Sequence, residues 1–296
     1  MIKFKPKPIR LKLLLFFLLC LTEHLHAQIP ELPVEMEKTH QLKIKKKGKL
    51  YFYWGWNRGA YSKSDIRFKG KDYSFTLSDV IAKDRQTKFS VDSYLNPGNI
   101  TLPQFNARIG YFFKNNWDIS VGTDHMKYVV QTRQTVNISG NINDSSSPYG
   151  GSYKNDDIML TEDFLSFEHT DGLNFVSAEI KRFDNILDLN KVQVNLTEGF
   201  GLGFLLPRTN TMLLGKERYD EFHLSGYGVS SMVGLNFSFF EKFFIQTEFK
   251  GGYINMPDIR TTNSIADSAS QGFFFREITL LFGGIINLNK KALKQL

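Results

Sequence analysis

The chain is poor in the residues that build disulfide and metal frameworks. Its 296 residues include one cysteine, Cys20, and 9 prolines. A single cysteine excludes a disulfide framework within the chain and a zinc site made of paired cysteines. The chain also lacks a run of about 20 apolar residues, which one membrane helix requires. Its longest apolar run extends only from Leu13 to Leu21, and the mean hydropathy of -0.26 excludes a bundle of membrane helices.

The short apolar run has the features of an export signal. It follows a charged segment with Lys3, Lys5, Lys7, Arg10 and Lys12. A basic segment before a short apolar segment is typical of a secretory signal peptide, and we place the cleavage after Ala27. We therefore expect export through the Sec pathway.

Cleavage would remove most of the positive charge. The whole chain has 37 basic and 30 acidic residues, a net charge of +7, whereas residues 28–296 have 32 basic and 29 acidic residues. Binding of nucleic acid requires a clustered basic face. We expect no nucleic-acid partner.

Beyond Gly48, apolar residues alternate with polar or small ones over long segments. In one segment Phe243, Ile245, Phe249 and Tyr253 alternate with Gln246, Glu248 and Lys250. Strands of soluble sheets usually have about 5–6 residues, whereas membrane strands need about 9–11. Long strands with one apolar and one polar face indicate a transmembrane β-barrel.

The alternation predicts eight strands: residues 49–61, 101–113, 117–131, 172–183, 191–205, 222–239, 243–255 and 273–288. The connections between them are alternately short and long. Outer-membrane barrels have short periplasmic turns and long extracellular loops, and an even strand number leaves both termini in the periplasm. Segments 65–80 and 158–169 alternate weakly and would make ten strands, but we expect them to form hairpins within the outer loops.

The predicted organisation has four parts: a signal peptide (1–27), a basic periplasmic segment (28–48), the barrel (49–288) and a periplasmic tail (289–296). The basic run is expected to be a solvated segment, and contact with anionic headgroups is the alternative. This run contains Lys43, Lys45, Lys46, Lys47 and Lys49. Glu198 lies on a face predicted to contact lipid, and a β-bulge is the favoured explanation, with a charge held at the lipid surface as the alternative.

The pattern across residues 49–288 resembles the small outer-membrane barrels of the OmpA-transmembrane and OmpX type. The resemblance implies an all-β, antiparallel, up-and-down barrel in the outer membrane of a Gram-negative bacterium, in contact with lipid and lipopolysaccharide. Many such barrels end on an aromatic residue, whereas this chain continues to Leu296. Adhesins, structural anchors, small pores and enzymes all occur in this broad group.

Charged residues are predicted to point into the lumen, which in an eight-stranded barrel holds only side chains or one small ligand. The predicted lumen set is Arg108, Asp118, Asp124, Glu179, Lys181, Glu248, Lys250 and Glu277. Buried charges must pair, so we expect a structural plug, and a narrow polar pore is the alternative. Gly199, Gly201 and Gly203 share one strand face, where they are expected to leave room for a bulky neighbour.

Candidate catalytic residues are few. The segment 167–172 is similar to the His-x-Ser motif of outer-membrane lipid A deacylases, which implies His169 as the base. Asp171 occupies the place of the serine nucleophile, and Ser177 is a nearby hydroxyl at the wrong spacing. We favour histidines scattered by chance, and we expect no catalytic residue, metal or cofactor.

The long outer loops are the predicted functional part. Loops 62–100 and 132–171 far exceed the usual length of about 4–6 residues, and such loops are commonly functional. We expect a structural or surface-binding role through them, with a pore or a lipid A hydrolase at the rim as alternatives. The predicted contact residues are Lys63, Lys69, Lys71, Tyr73, Phe75 and Tyr149.

Overall fold

The computed structural model describes residues 46–99 and 101–288. The predicted signal peptide, most of the basic segment and the tail 289–296 lie outside these residues. One short α-helix, α1 (Val91–Leu95), and one 3-10 turn (Pro97–Asn99) are present in the described part. Within that part, no helix is long and apolar enough to cross a membrane.

Fifteen strands form one antiparallel sheet. They are β1 (Lys49–Tyr61), β2 (Ser64–Lys69), β3 (Tyr73–Val80), β4 (Ala82–Lys83), β5 (Phe105–Lys114), β6 (Trp117–Val130), β7 (Thr135–Ile142), β8 (Gly151–Met159), β9 (Leu165–Leu189), β10 (Val192–Leu205), β11 (Asn210–Leu213), β12 (Lys216–Tyr219), β13 (Gly226–Phe239), β14 (Phe243–Arg260) and β15 (Ser268–Asn287).

Eight of these strands close into a ring, in the order β1-β5-β6-β9-β10-β13-β14-β15, and β15 pairs again with β1. The predicted eight-stranded antiparallel barrel is confirmed. Closure leaves the ring without an unpaired edge, so every strand of the barrel can satisfy its backbone groups internally, as a membrane requires. We take the end with the long connections as the extracellular end.

The two faces of the ring differ in chemistry. Outward-facing positions carry large exposed apolar side chains, such as Phe52 (54% exposed), Leu202 (61%) and Ile278 (60%). Inward-facing positions are mostly polar and buried. This arrangement, apolar outside and polar inside, is that of an outer-membrane barrel.

Strands of the extracellular connections extend this sheet beyond the ring. The hairpin β2–β3 pairs with the outer end of β15, and the hairpin β7–β8 pairs with β3. We call residues 62–83 and 131–168 the cap. The predicted hairpin in 65–80 is present, but the one in 158–169 is wrong, because this segment contains the end of β8, a turn and the start of β9.

The cap and the upper part of the barrel share one apolar core, in which the inward faces of the cap strands meet barrel residues such as Tyr128, Phe175 and Phe273. Its members include Ile66, Phe68, Tyr73, Phe75, Leu77, Ile138, Phe164 and Phe167, each at most 2% exposed. Tyr73 and Phe75 therefore cannot contact an external partner, contrary to the sequence prediction. Their alternation with Ser74 and Thr76 is that of a half-buried strand.

Glu198 is not at a bulge, and that prediction was wrong. The pairing of β10 with β13 is continuous through Glu198↔Val233, and the irregularity in the β9 pairing lies between Val194 and Asn195. Glu198 is exposed on the outer face, directly opposite Arg182 on β9. The register thus provides a cation beside this outward carboxylate.

Candidate functional sites in the lumen and the cap

The lumen holds a compact cluster of charges. All eight predicted lumen residues are buried, at 4% exposure or less. Glu179 is at the centre: its Oε1 lies 2.8 Å from both Arg108 Nη2 and Lys250 Nζ, and its Oε2 lies 3.1 Å from Lys181 Nζ. One carboxylate is thereby shared by three cations from three different strands.

Neighbouring carboxylates complete the cluster. Lys250 Nζ lies 2.6 Å from Asp124 Oδ2, and Lys181 Nζ lies 2.6 Å from Glu248 Oε1. Glu277 accepts a hydrogen bond of 2.6 Å from Asn106 Nδ2. Asp118 and Glu277 form no salt bridge within the described residues. The cluster therefore contains five carboxylic side chains and three cations.

The lumen is closed at the periplasmic end by aromatic side chains. These are Tyr51, Tyr53, Phe112, Phe183 and Phe244. Lys46 covers this cluster: its Nζ is 4.8 Å from the centroid of the Phe183 ring and donates a 3.0 Å hydrogen bond to Asn195. Lys49 is also buried and pairs with Glu241 at 2.8 Å.

The basic segment is therefore only partly solvated. Lys46 and Lys49 are buried, contrary to the predicted solvated segment, whereas Lys47 is exposed as predicted. Lys43 and Lys45 lie outside the described residues. No periodic signal distinguished Lys46 from its neighbours in the sequence. A lysine stem can cover apolar surface while its ammonium group reaches a polar partner, and this is the position of Lys46.

The three weak catalytic candidates do not form one site. His169 is fully buried, and its Nδ1 lies 3.0 Å from Thr209 Oγ1. Asp171 is exposed and faces Arg208 Nη1 at 3.6 Å. Ser177 is in the lumen, where its Oγ accepts a 2.9 Å hydrogen bond from Arg108. A base and a nucleophile must be within hydrogen-bond reach, and these residues bond to other partners instead.

The other two histidines among the described residues each contact a single side chain at hydrogen-bond distance. His223 Nε2 pairs with Asp258 at 2.9 Å on the exposed rim, and His125 Nδ1 lies 2.8 Å from Asn174 Oδ1. The described residues contain no group of three or more potential metal-ligating side chains.

The cap presents a polar surface to the outside, which we call the cap face. It consists of two cross-strand rows that run over β15, β2, β3, β7 and β8. The first row is Ser268, Lys69, Ser74, Asn141 and Ser152, and the second is Ser270, Arg67, Thr76, Ser139 and Lys154. Every one of these side chains points away from the cap core. The two rows contain three cations and no carboxylate.

The predicted loop contacts occupy different places relative to the cap face. Lys69 belongs to it, and Lys63 and Lys71 are exposed nearby. Tyr149 is half-buried, and its hydroxyl donates a 2.6 Å hydrogen bond to Asp163. The hydrogen bond from Tyr149 holds the pKa of the Asp163 carboxyl below its usual range. Tyr149 thus ties the β7–β8 hairpin to the start of β9 and is not a free contact residue.

The cap and the barrel rim also line a half-open pocket of about 680 Å³. Its wall includes Asp84, Arg85, Asp163 and Glu168, and Arg85 Nη2 pairs with Glu168 Oε2 at 2.9 Å. Asp84 accepts a 2.8 Å hydrogen bond from the backbone of Gly59, while burial raises the pKa of its carboxyl. Arg85–Glu168 is the one ion pair between the described residues of this wall.

The similarities of this chain to known proteins are distant. No family model matches the chain, and no curated protein matches it. The chain is similar to the outer membrane protein OprG from Pseudomonas aeruginosa, with 8% identity, 83% of this chain and 99% of that chain covered, and a TM-score of 0.41. It is also similar to Ail of Yersinia pestis, with 11% identity, 79% of this chain and 99% of that chain covered, and a TM-score of 0.26. A third similar structure is the outer membrane protease OmpT of Escherichia coli, with 10% identity, 81% of this chain and 96% of that chain covered, and a TM-score of 0.23.

Proposed function

We propose that this outer-membrane β-barrel is a surface-binding protein, anchored by a closed barrel, whose cap face binds an anionic polymer or an anionic surface outside the cell. The observation that carries the proposal is the cap face itself: two rows of short polar side chains with Arg67, Lys69 and Lys154 and without a carboxylate. The proposal includes export by the predicted signal peptide.

The geometry of the cap face supports binding rather than folding as the role of its cations. None of its three basic side chains has an ion-pair partner within the described residues. The neighbouring serine, threonine and asparagine side chains are short, so they leave the cations accessible and supply hydrogen-bond donors. Carboxylates border the two rows. Asp157 accepts a 2.8 Å hydrogen bond from Asn137, Asp65 shares the exposed face of β2 with Arg67, and Asp156 accepts a 2.7 Å hydrogen bond from the backbone N–H of Lys154.

The rigidity of the scaffold also supports the proposal. The cap face rests on a core of fully buried aromatic and aliphatic side chains, and β2 continues the sheet from β15 of the barrel. A preorganised surface loses little conformational entropy on binding. The packed lumen favours an anchor over a pore, because its three cations pair with carboxylates and both of its ends are covered by apolar clusters.

A binding experiment with a sulfated polymer tests the proposal. Purified protein in detergent micelles would be titrated with dextran sulfate, and neutral dextran would serve as the negative probe. We expect Arg67→Gln with Lys154→Gln, two cations of one row, to weaken binding roughly tenfold, since each exposed ion pair contributes up to about 1 kcal/mol. Higher salt should weaken binding by the wild type, because exposed charges are screened.

A matched double variant separates the cap face from general charge. Lys88→Gln with Lys114→Gln removes the same charge from exposed positions, one in an outer connection and one at the end of β5, both outside the cap. This control should bind like the wild type. Equal loss in both double variants, or absence of binding by the wild type, would overturn the proposal.

A further inference from the structure

Two arginines lie side by side on the outward face of the barrel. Arg58 of β1 and Arg276 of β15 are both exposed. The register pairs Arg58 with Ile278 and Ala60 with Arg276, so the two arginines are diagonal neighbours, and long side chains at such positions can reach each other. Neither guanidinium has an ion-pair partner within the described part of the chain.

Both arginines lie near the upper border of the lipid-facing band, with the exposed Phe274 one outward position further along β15. Below them the outward positions are apolar: Phe52, Trp54 and Trp56 on β1, and Ile278, Leu280 and Phe282 on β15. With about 3.3 Å per residue and a tilt of about 40°, the chain rises roughly 23 Å from Lys49 to Arg58, close to the ~25 Å height of the apolar band of such barrels. The arginines therefore lie at the level of the headgroups of the outer leaflet.

A groove in the outer wall adjoins Arg276. The cross-strand line from Arg276 passes through Gly251 and Ser231 to Phe200. Gly251 has no side chain to fill the wall, since an added Cβ would meet only a backbone oxygen at 3.8 Å. The resulting groove has a volume of about 440 Å³. Its apolar walls are Phe200, Val229, Tyr253 and Phe274.

We propose that this groove and the two arginines form a specific site for one phosphorylated glycolipid of the outer leaflet, of the lipid A class. An acyl chain lies in the groove over Gly251, and a phosphate is bound by Arg276 and Arg58. Guanidinium groups bind phosphate oxygens through paired hydrogen bonds. The groove continues the lipid-facing belt, which identifies its occupant as lipid. This site is independent of the cap face.

Lipid titration followed by native mass spectrometry tests the site. The folded protein in detergent micelles would be titrated with bis-phosphorylated lipid A. We expect Arg58→Gln with Arg276→Gln to reduce affinity at least tenfold, and Gly251→Phe, which fills the groove, to reduce it as well. Dephosphorylated lipid A should bind the wild type as weakly as lipid A binds the double arginine variant.

Controls make each outcome decisive. Arg182→Gln with Lys242→Gln removes the same charge near the periplasmic end and should leave affinity unchanged. Folding of each variant is verified by its heat-dependent gel mobility, and Ser231→Leu replaces Gly251→Phe if that variant does not fold. Unchanged affinity in the double arginine variant overturns the site. Equal binding of phosphatidylglycerol overturns its assignment to a glycolipid, and unchanged affinity in folded Gly251→Phe overturns the role of the groove.

Discussion

At the scale of single residues, the lumen depends on Glu179. Its carboxylate contacts Arg108, Lys181 and Lys250, which come from β5, β9 and β14. Buried ions lose their hydration, and only close pairing with several hydrogen bonds offsets that loss. The cluster therefore stabilises the barrel only as long as each of its members is present, and it links strands that are not neighbours in the ring.

Removal of one lysine from this cluster should be strongly destabilising. Lys250→Met leaves Asp124 and Glu179 without one of their cations, and we expect a loss of about 3–5 kcal/mol in the free energy of unfolding. Urea unfolding of the barrel in detergent, followed by tryptophan fluorescence, measures the change. Lys63→Met, an exposed lysine without an ion pair within the described residues, is the control and should alter stability by less than about 0.5 kcal/mol.

A second substitution distinguishes loss of pairing from loss of packing. Asp124→Asn in the Lys250→Met background removes one of the two carboxylates that lost their lysine partner. It should therefore recover part of the lost stability. An equal effect of Lys63→Met, or further destabilisation by Asp124→Asn, would contradict the charge argument.

At the scale of elements, the glycines of β10 show how one strand accommodates its neighbours. A Cβ at Gly199 would lie 2.6 Å from the backbone oxygen of Ile180 and 2.8 Å from both Lys181 Cγ and Met232 Sδ. The glycine therefore provides the space that the Lys181 side chain occupies in the lumen. The sequence predicted room for a bulky neighbour, and the structure identifies that neighbour as Lys181.

A pair of glycine substitutions should separate the two faces of the wall. Gly199→Leu is expected to destabilise the barrel by about 1–3 kcal/mol or to prevent its folding, because an added side chain overpacks the lumen. Gly251→Leu faces open space outside and should be tolerated. The temperature at which each variant loses its folded gel mobility measures the difference, and the reverse order would exclude the assigned orientations.

At the scale of the whole molecule, the barrel and the cap are built on different principles. The ring β1-β5-β6-β9-β10-β13-β14-β15 closes on itself without β7 and β8. The cap, by contrast, buries an aromatic core like that of a soluble protein. The barrel thus has the architecture of an anchor that folds by itself, and the cap is an addition to its rim.

Deletion of the outer hairpin tests this division. Replacement of residues 136–158 by a short glycine-serine linker should leave the barrel folded, with its β-type circular dichroism and its gel shift on boiling. Binding of dextran sulfate should fall, because Ser139 and Lys154 leave the cap face. Loss of the folded barrel after this deletion would mean that the cap is required for closure of the ring.

The barrel could be predicted from the sequence because apolar and polar residues alternate with one period along all of its strands. Alternation with a period of two placed Arg108, Glu179 and Lys250 on inward positions, and the lengths of the connections determined the strand number. Tyr73 also lies in an alternating segment, which indicates a buried side chain. It was predicted to be exposed because it is in a long loop, and loops are usually solvated. Glu198 was assigned to a bulge because its alternation conflicts with a lipid face, whereas the register places Arg182 opposite it.

By itself, the sequence determined the closed antiparallel barrel, its eight strands and the polarity of its two faces. These properties follow from the alternation of apolar and polar residues, which is present within each strand and does not depend on its neighbours. Only the tertiary structure decided which cations contact the Glu179 carboxylate and that Lys46 covers the periplasmic mouth of the barrel. It also decided that the loops form a cap with a basic face. Those features depend on register and on contacts between distant segments, and a one-residue shift of register moves a side chain to the other face.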